Sequence, residues 1–241
     1  MSRLSDYIRR TARKRCSAVV VAAGSSERMG FDKLSADLRG MSVLARTLLA
    51  LDKSESIDEI VVVTKSEKIP AVAELCREYD ISKATKILCG GTTRSESALA
   101  GVSEIDPDSE LVAIHDGARP LVTDEVIAAA VHAAALYSAA APFVAAKDTI
   151  KITDGEIVSS TPTRGSIAAV QTPQVFNIEL IKAALTDAVE KELTITDDCS
   201  AVEALGVKVH LVPGDERNIK ITTPTDLIIA RALLESEGAA E

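Results

Sequence analysis

This sequence points to an α/β fold built on a doubly wound, mostly parallel sheet, for three reasons. Aliphatic runs of strand length alternate with segments whose apolar residues recur at helical spacing. The first run, Ser17 to Ala23 (SAVVVAA), is continuous and leads into a glycine, as expected of a strand buried on both faces. The chain is 46% hydrophobic but only 2% aromatic, with no Trp, so its core has to be assembled from aliphatic layers. Its 241 residues suffice for one such domain.

The elements follow in order. Residues 1–15 carry Arg9, Arg10, Arg13, Lys14 and Arg15 without the apolar core of a signal segment, and read as a solvated basic N-terminal extension. The rest, 16–241, reads as a single domain. After the first strand, helical spacing predicts a helix over Ser42 to Asp52, then a strand over Ile57 to Thr64 and a helix over Glu67 to Tyr79. A strand over Ala84 to Cys89 leads through Gly90-Gly91 into a helix over Thr93 to Glu104, whose Thr93 and Glu96 have capping-box spacing. A strand over Leu111 to His115 and a helix over Thr123 to Tyr137 complete the βαβα alternation.

Between Pro142 and Gln171 the pattern changes to short apolar and polar pieces around Asp154-Gly155, a strong hairpin signal. Without a covering helix, this hairpin, within an inserted arm at 143–166, has to project from the domain or pack on a partner. A strand over Ile167 to Gln171, helices from about Asn177 and Asp197, a strand over Val207 to Val212, and a helix after Thr223-Pro224 complete the chain. In such a sheet, right-handed crossovers place ligands beyond the carboxyl ends of the strands, where functional residues are expected.

Composition narrows the partners. A formal charge of -9 opposes long-range attraction of nucleic acid, so an anionic ligand needs a local cluster of Lys and Arg, and the lack of aromatics argues against base stacking. No run approaches the roughly 20 apolar residues of a membrane helix. Cys16, Cys76, Cys89 and Cys199 lack the paired spacing of zinc or dithiol motifs and read as reduced thiols in a cytoplasmic protein.

The chemistry begins where the first strand runs into Ala22, Ala23 and Gly24, followed by Arg28 and Lys33. Small residues let backbone N–H groups approach a triphosphate, and the two cations can neutralise it. The loop lacks both the dinucleotide fingerprint and the P-loop ending, so alone it could equally be a plain turn. Asp116, at the end of an apolar strand in His115-Asp116-Gly117-Ala118-Arg119-Pro120, stands where a ligand to Mg²⁺ on nucleotide phosphates is expected; an ordinary turn aspartate would leave Arg119 unexplained. His115 reads as structural.

Taken together, these motifs resemble the 2-C-methyl-D-erythritol 4-phosphate cytidylyltransferases of the non-mevalonate isoprenoid pathway. The matching set also includes Gly90-Gly91 with Arg94 and Ser97, Asp148-Thr149, Arg164, Gln171-Thr172-Pro173-Gln174, Thr196-Asp197 and Asn218-Ile219-Lys220. The resemblance implies a Rossmann-like three-layer αβα nucleotidyltransferase domain with a protruding β-hairpin arm. It implies that CMP moves from CTP to methylerythritol phosphate with release of pyrophosphate, aided by Mg²⁺ or another divalent cation on Asp116. Arg28, Lys33, Arg164 and Lys220 are the implied catalytic residues. Ala22, Ala23, Gly24, Gly91, Thr92, Ser97, Asp116 and Gly117 are implied to bind CTP. Asp116, Arg119, Thr149, Arg164, Thr172, Thr196 and Lys220 are implied to bind the polyol phosphate. The arm, by the same resemblance, exchanges between the subunits of a homodimer. A ribitol-5-phosphate cytidylyltransferase and an inactive nucleotide-binding regulatory module are the alternatives left open.

Overall fold

The computed structural model describes residues 13–24 and 30–238. In chain order the elements are β1 (Cys16–Val21), α1 (Val43–Lys53), β2 (Glu59–Thr64), α2 (Ile69–Glu78), β3 (Ala84–Cys89), α3 (Arg94–Ser103), β4 (Leu111–Asp116) and α4 (Asp124–Tyr137). Then come β5 (Ala139–Ala145), β6 (Ile152–Asp154), β7 (Ile157–Ser160), β8 (Ala168–Val170), β9 (Gln174–Asn177), α5 (Ile178–Glu190), α6 (Asp198–Ala204), β10 (His210–Pro213) and α7 (Pro224–Gly238).

The main sheet runs β10-β5-β9-β4-β1-β2-β3, with β8 paired to β5. The β1–β2, β2–β3, β1–β4 and β5–β10 pairs are parallel, while β9 lies antiparallel between β4 and β5. Successive side chains of a strand face opposite sides. Ala18 and Val20 accordingly pack with Leu44, Leu48 and Val126 on the α1, α2 and α4 face, whereas Val19 packs with Ala98, Val102 and Leu185 on the α3, α5 and α6 face. These two aliphatic cores make the three layers, and they explain why β1 shows no polar alternation. A smaller cluster of Leu38, Val43, Leu121, Ile221 and Leu227 seats α7.

Helix starts follow local chemistry. Ser42, Thr93, Thr123, Asn177 and Asp197 each accept a backbone N–H of the first helical turn through the side chain. Helix α4 stops where Ser138 takes a left-handed φ of 68°, which turns the chain directly into β5.

Several boundaries differ from the sequence expectations. The Ala-rich β5 was not anticipated as a strand, because alanine after a helix carries no strand preference. The expected strand over Ile167 to Gln171 is only three residues long, and the unanticipated β9 follows it. The strand expected over Val207 to Val212 is seen as His210–Pro213. The Asp154-Gly155 turn joins β6 to β7 in a separate two-stranded sheet in which every strand residue is exposed. That segment leaves the main sheet after Ala145, since Phe143 and Val144 still pair with β8. At the basic extension, the exposed Arg13 pairs with Asp58 and the exposed Arg15 with Asp106, while residues 1–12 lie outside those described. No helix among the described residues is long and apolar enough to cross a membrane.

Candidate active site

Because β1 to β4 are mutually parallel, their carboxyl ends open on one edge of the sheet. There a cavity of about 600 Å³ is lined by Ala22, Ala23 and Gly24 after β1, Thr64 and Lys65 after β2, Gly90 and Gly91 after β3, and Asp116 and Gly117 after β4. Lys33, Thr92, Arg94, Ser97 and Lys220 complete its wall. An adjoining cavity of about 510 Å³ shares Ala22, Gly24 and Thr64 but rests on Leu44, Val72 and Leu75. The clustered cations lie around the first.

Glycine is needed where β3 turns into α3. A Cβ on Gly90 would stand 2.7 Å from Ser97 Oγ and 2.8 Å from Ala23 Cβ, and one on Gly91 would stand 2.3 Å from Glu96 Cβ. This lack of side chains lets the β1 loop and the α3 N-terminus meet at the cavity. The Glu96 carboxylate accepts from Thr92 N at 2.6 Å, Thr92 Oγ1 at 2.6 Å and Thr93 N at 3.0 Å. The Thr92 hydroxyl and those amides hold the Glu96 carboxyl below its usual range. Ser97 Oγ donates to Thr93 O at 2.9 Å.

Asp116 is the electrostatic centre. Lys220 Nζ lies 2.9 Å from its Oδ2, Arg119 Nε 3.5 Å from the same oxygen, and Arg94 Nη2 3.7 Å from Oδ1. Burial pushes the Asp116 carboxyl up, but Lys220, Arg94 and Arg119 outweigh it and hold the pKa at about 2. Arg94 is itself gripped by the fully buried Asp198, which accepts from Nη1 and Nη2 at 2.7 Å each. Arg119 Nη1 donates to Asn218 O at 2.7 Å, and its buried Nε makes no hydrogen bond among the described residues.

A second layer fixes these groups. Asp116 N donates to Thr172 Oγ1 at 3.1 Å, and Thr172 Oγ1 lies 3.0 Å from His115 Nδ1. His115 Nε2 faces Arg119 O at 3.3 Å, and since a carbonyl can only accept, Nε2 carries the proton and Nδ1 accepts from Thr172. Burial above all pushes the His115 pKa down to about 4, in keeping with this neutral ring. Gln171 Nε2 donates to Asp215 O at 2.7 Å and Asn218 Nδ2 to Thr172 O at 2.9 Å, tying the segment that presents Lys220 to the β8–β9 connection.

Among the expected site residues, Ala22, Ala23, Gly24, Lys33, Gly91, Thr92, Ser97, Asp116, Gly117 and Lys220 line one cavity, and Arg119 joins them through Asp116. Thr172 lies directly behind Asp116. Thr196 pairs with Ser200 at 3.0 Å beside the α6 N-terminus and does not line the cavity. Thr149 and Arg164 pair with each other at 3.1 Å on the exposed segment and do not line it either. Arg28 lies outside the described residues. Arg94 was read only as part of a motif, and Asp198 was not singled out. A pairing between residues 104 positions apart leaves no local pattern, although the doubled Asp197-Asp198 at a helix start was a visible cue.

Residues 16–236 match the family model described as 2-C-methyl-D-erythritol 4-phosphate cytidylyltransferase. A protein of that name from Caldanaerobacter subterraneus subsp. tengcongensis is 47% identical over 226 residues, covering 90% of this chain and 98% of its own. One from Halalkalibacterium halodurans is 43% identical, with 90% and 96% covered. Among solved structures, the 4-diphosphocytidyl-2C-methyl-D-erythritol synthase of Anaerococcus prevotii superposes with a TM-score of 0.83 at 35% identity, covering 92% of this chain and 96% of the other. The Thermus thermophilus 2-C-methyl-D-erythritol 4-phosphate cytidylyltransferase gives 0.75 at 31%, with 91% and 98% covered.

Proposed function

Since the chain belongs to the 2-C-methyl-D-erythritol 4-phosphate cytidylyltransferase family, we propose how its own residues carry out that family's reaction. The enzyme is a nucleotidyltransferase of isoprenoid precursor biosynthesis. It transfers CMP from CTP to 2-C-methyl-D-erythritol 4-phosphate, giving 4-diphosphocytidyl-2-C-methyl-D-erythritol and pyrophosphate. The observation that carries the residue assignment is the buried Asp116 on the wall of the cavity, held within 2.9–3.7 Å by three cations from separate parts of the chain.

An acceptor phosphate oxygen attacks the α-phosphorus in line, a phosphorus–oxygen bond forms, and the bond to the bridging oxygen of pyrophosphate breaks. No protein nucleophile is required, so catalysis is positioning and charge stabilisation. Gly91, Thr92 and Ser97 hold the base, and the N–H groups of Ala23 and Gly24 face the triphosphate, while Ala22 and Gly117, whose N–H groups donate to Val63 O and Val21 O, form the wall against which the nucleotide lies. Arg28 and Lys33 neutralise charge on the leaving group. Lys220 and Arg119 draw the acceptor phosphate towards Asp116, with Thr172 and Thr196 on the acceptor side.

Mg²⁺ fits this arrangement. Among the described residues no group of three or more His, Cys, Asp or Glu is placed to hold a metal, but Mg²⁺ characteristically binds through one or two carboxylates and substrate phosphates. Asp116 is ionised at neutral pH, and among the described residues the cation at its Oδ1 is Arg94, at 3.7 Å. When bound there, the ion supplies further charge stabilisation at the phosphates. The exposed β6–β7 arm carries Thr149 and Arg164 to a partner's acceptor site in a homodimer. Four free cysteines suit a reducing cytoplasm.

Pyrophosphate release by the purified protein with Mg²⁺ tests the activity, with CTP or another nucleotide offered against methylerythritol phosphate or ribitol 5-phosphate. Turnover with CTP and methylerythritol phosphate alone is expected. Preference for ribitol phosphate would overturn the acceptor, and no release with any pair would overturn the enzyme.

A further inference from the structure

The turn that meets the base has an uneven supply of donors and acceptors. Glu96 takes up the N–H groups of Thr92 and Thr93 and also the Thr92 hydroxyl. An ionised carboxylate can only accept, so the single hydroxyl proton of Thr92 is committed to Glu96. What Thr92 Oγ1 can still offer a ligand is its lone pairs. The neighbouring Gly91 N–H makes no hydrogen bond among the described residues, and both residues line the cavity. Side by side, then, stand one donor and one obligate acceptor.

Cytosine presents the complement, an acceptor at N3 beside a donor at the N4 amino group. Uracil reverses both, with a donor at N3 and an acceptor at O4. Resting on the reading of this cavity as the nucleotide site, we propose that Glu96 is a positioning residue for base selectivity: by holding the Thr92 hydroxyl as a permanent acceptor, it admits CTP and rejects UTP. Gly91 belongs to the device, because any Cβ there would collide with Glu96 Cβ and lift the carboxylate off Thr92. Glu96 also caps α3, and a cap alone would not discriminate between nucleotides.

The test compares CTP with UTP for the full-length protein and its Thr92→Val, Thr92→Ser and Glu96→Gln variants. It uses kcat/KM for pyrophosphate release with methylerythritol phosphate, affinity by titration calorimetry, and thermal melting. Valine removes the acceptor, and glutamine can donate to Thr92 and release its proton towards the ligand. Both should lower the CTP:UTP ratio on the order of 10-fold or more, whereas serine keeps it. If Thr92→Val and Glu96→Gln keep the wild-type ratio while melting lower, Glu96 is only a cap and the proposal falls. It falls equally if the wild type binds UTP as tightly as CTP. Absence of turnover would sink the activity reading, and the calorimetric ratio would still decide the selectivity.

Discussion

Lys220 makes an ion pair at 2.9 Å to Asp116 and is the proposed cation for the incoming phosphate. Lys220→Ala should therefore reduce pyrophosphate release on the order of 10²-fold or more, by comparison with loss of an oxyanion donor, and steady-state kinetics will show it. Behind it, Thr172→Val leaves Asp116 N–H and His115 Nδ1 without partners, which should cost about 1–3 kcal/mol in urea unfolding. The same pair of residues sets the acid response. His115 has its folded pKa lowered to about 4 from 6.5, so the unfolded chain binds the extra proton in between, and stability is full above pH 6.5 and declines as pH falls towards 4. Asp116, lowered from 3.8 to about 2, adds a loss confined to the window between those values. Urea midpoints across pH should show the upper decline in the wild type and a flatter one in His115→Gln. Of the residues involved, Asp116 and Lys220 were legible because each sits beside an apolar run at a strand or loop end. Asp198 was not, because its role exists only through Arg94.

At the scale of elements, the approach of α3 to the sheet rests on one missing side chain. A Cβ on Gly101 would meet Val19 Cγ1 at 2.3 Å and Val63 Cγ2 at 2.8 Å, so Gly101→Ala should destabilise by about 1–3 kcal/mol despite alanine's better helix propensity. A lowered melting temperature would register it, and a raised one would mean the helix can shift outward freely. The β1 to β4 half was readable because β1, β2 and β4 are buried runs rich in aliphatic residues, and helices with apolar spacing separate the strands. The other half was harder for a physical reason. β5 is split between partners, with Ala139 and Ala140 pairing with β9 and Phe143 to Ala145 with β8, so neither short partner has a strand's length of pattern. Its three leading alanines continue the composition of α4, and only Ser138 in a left-handed turn separates them.

For the molecule as a whole, the exposed Ile152, Ile157 and Val158 of the β6–β7 sheet are apolar surface in search of cover, consistent with the proposed exchange of arms between subunits. Mixing Arg164→Ala with Lys220→Ala protein should then regain activity in mixed dimers, each of which holds one intact site. Verified mixed dimers that stay inactive would remove the shared site. The chain order of the cavity has a consequence for biosynthesis. The base turn, Asp116, Arg94 and Arg119 are all made within the first half of the chain, whereas Asp198 and Lys220 come from its last quarter. During synthesis the β1 to β4 half is made ahead of the groups that balance and complete its charges, and ahead of Phe176, Ile181 and Leu185, which cover one of its faces. A nascent chain therefore carries its base turn and Asp116 long before it carries Asp198 and Lys220, the partners that Arg94 and Asp116 await.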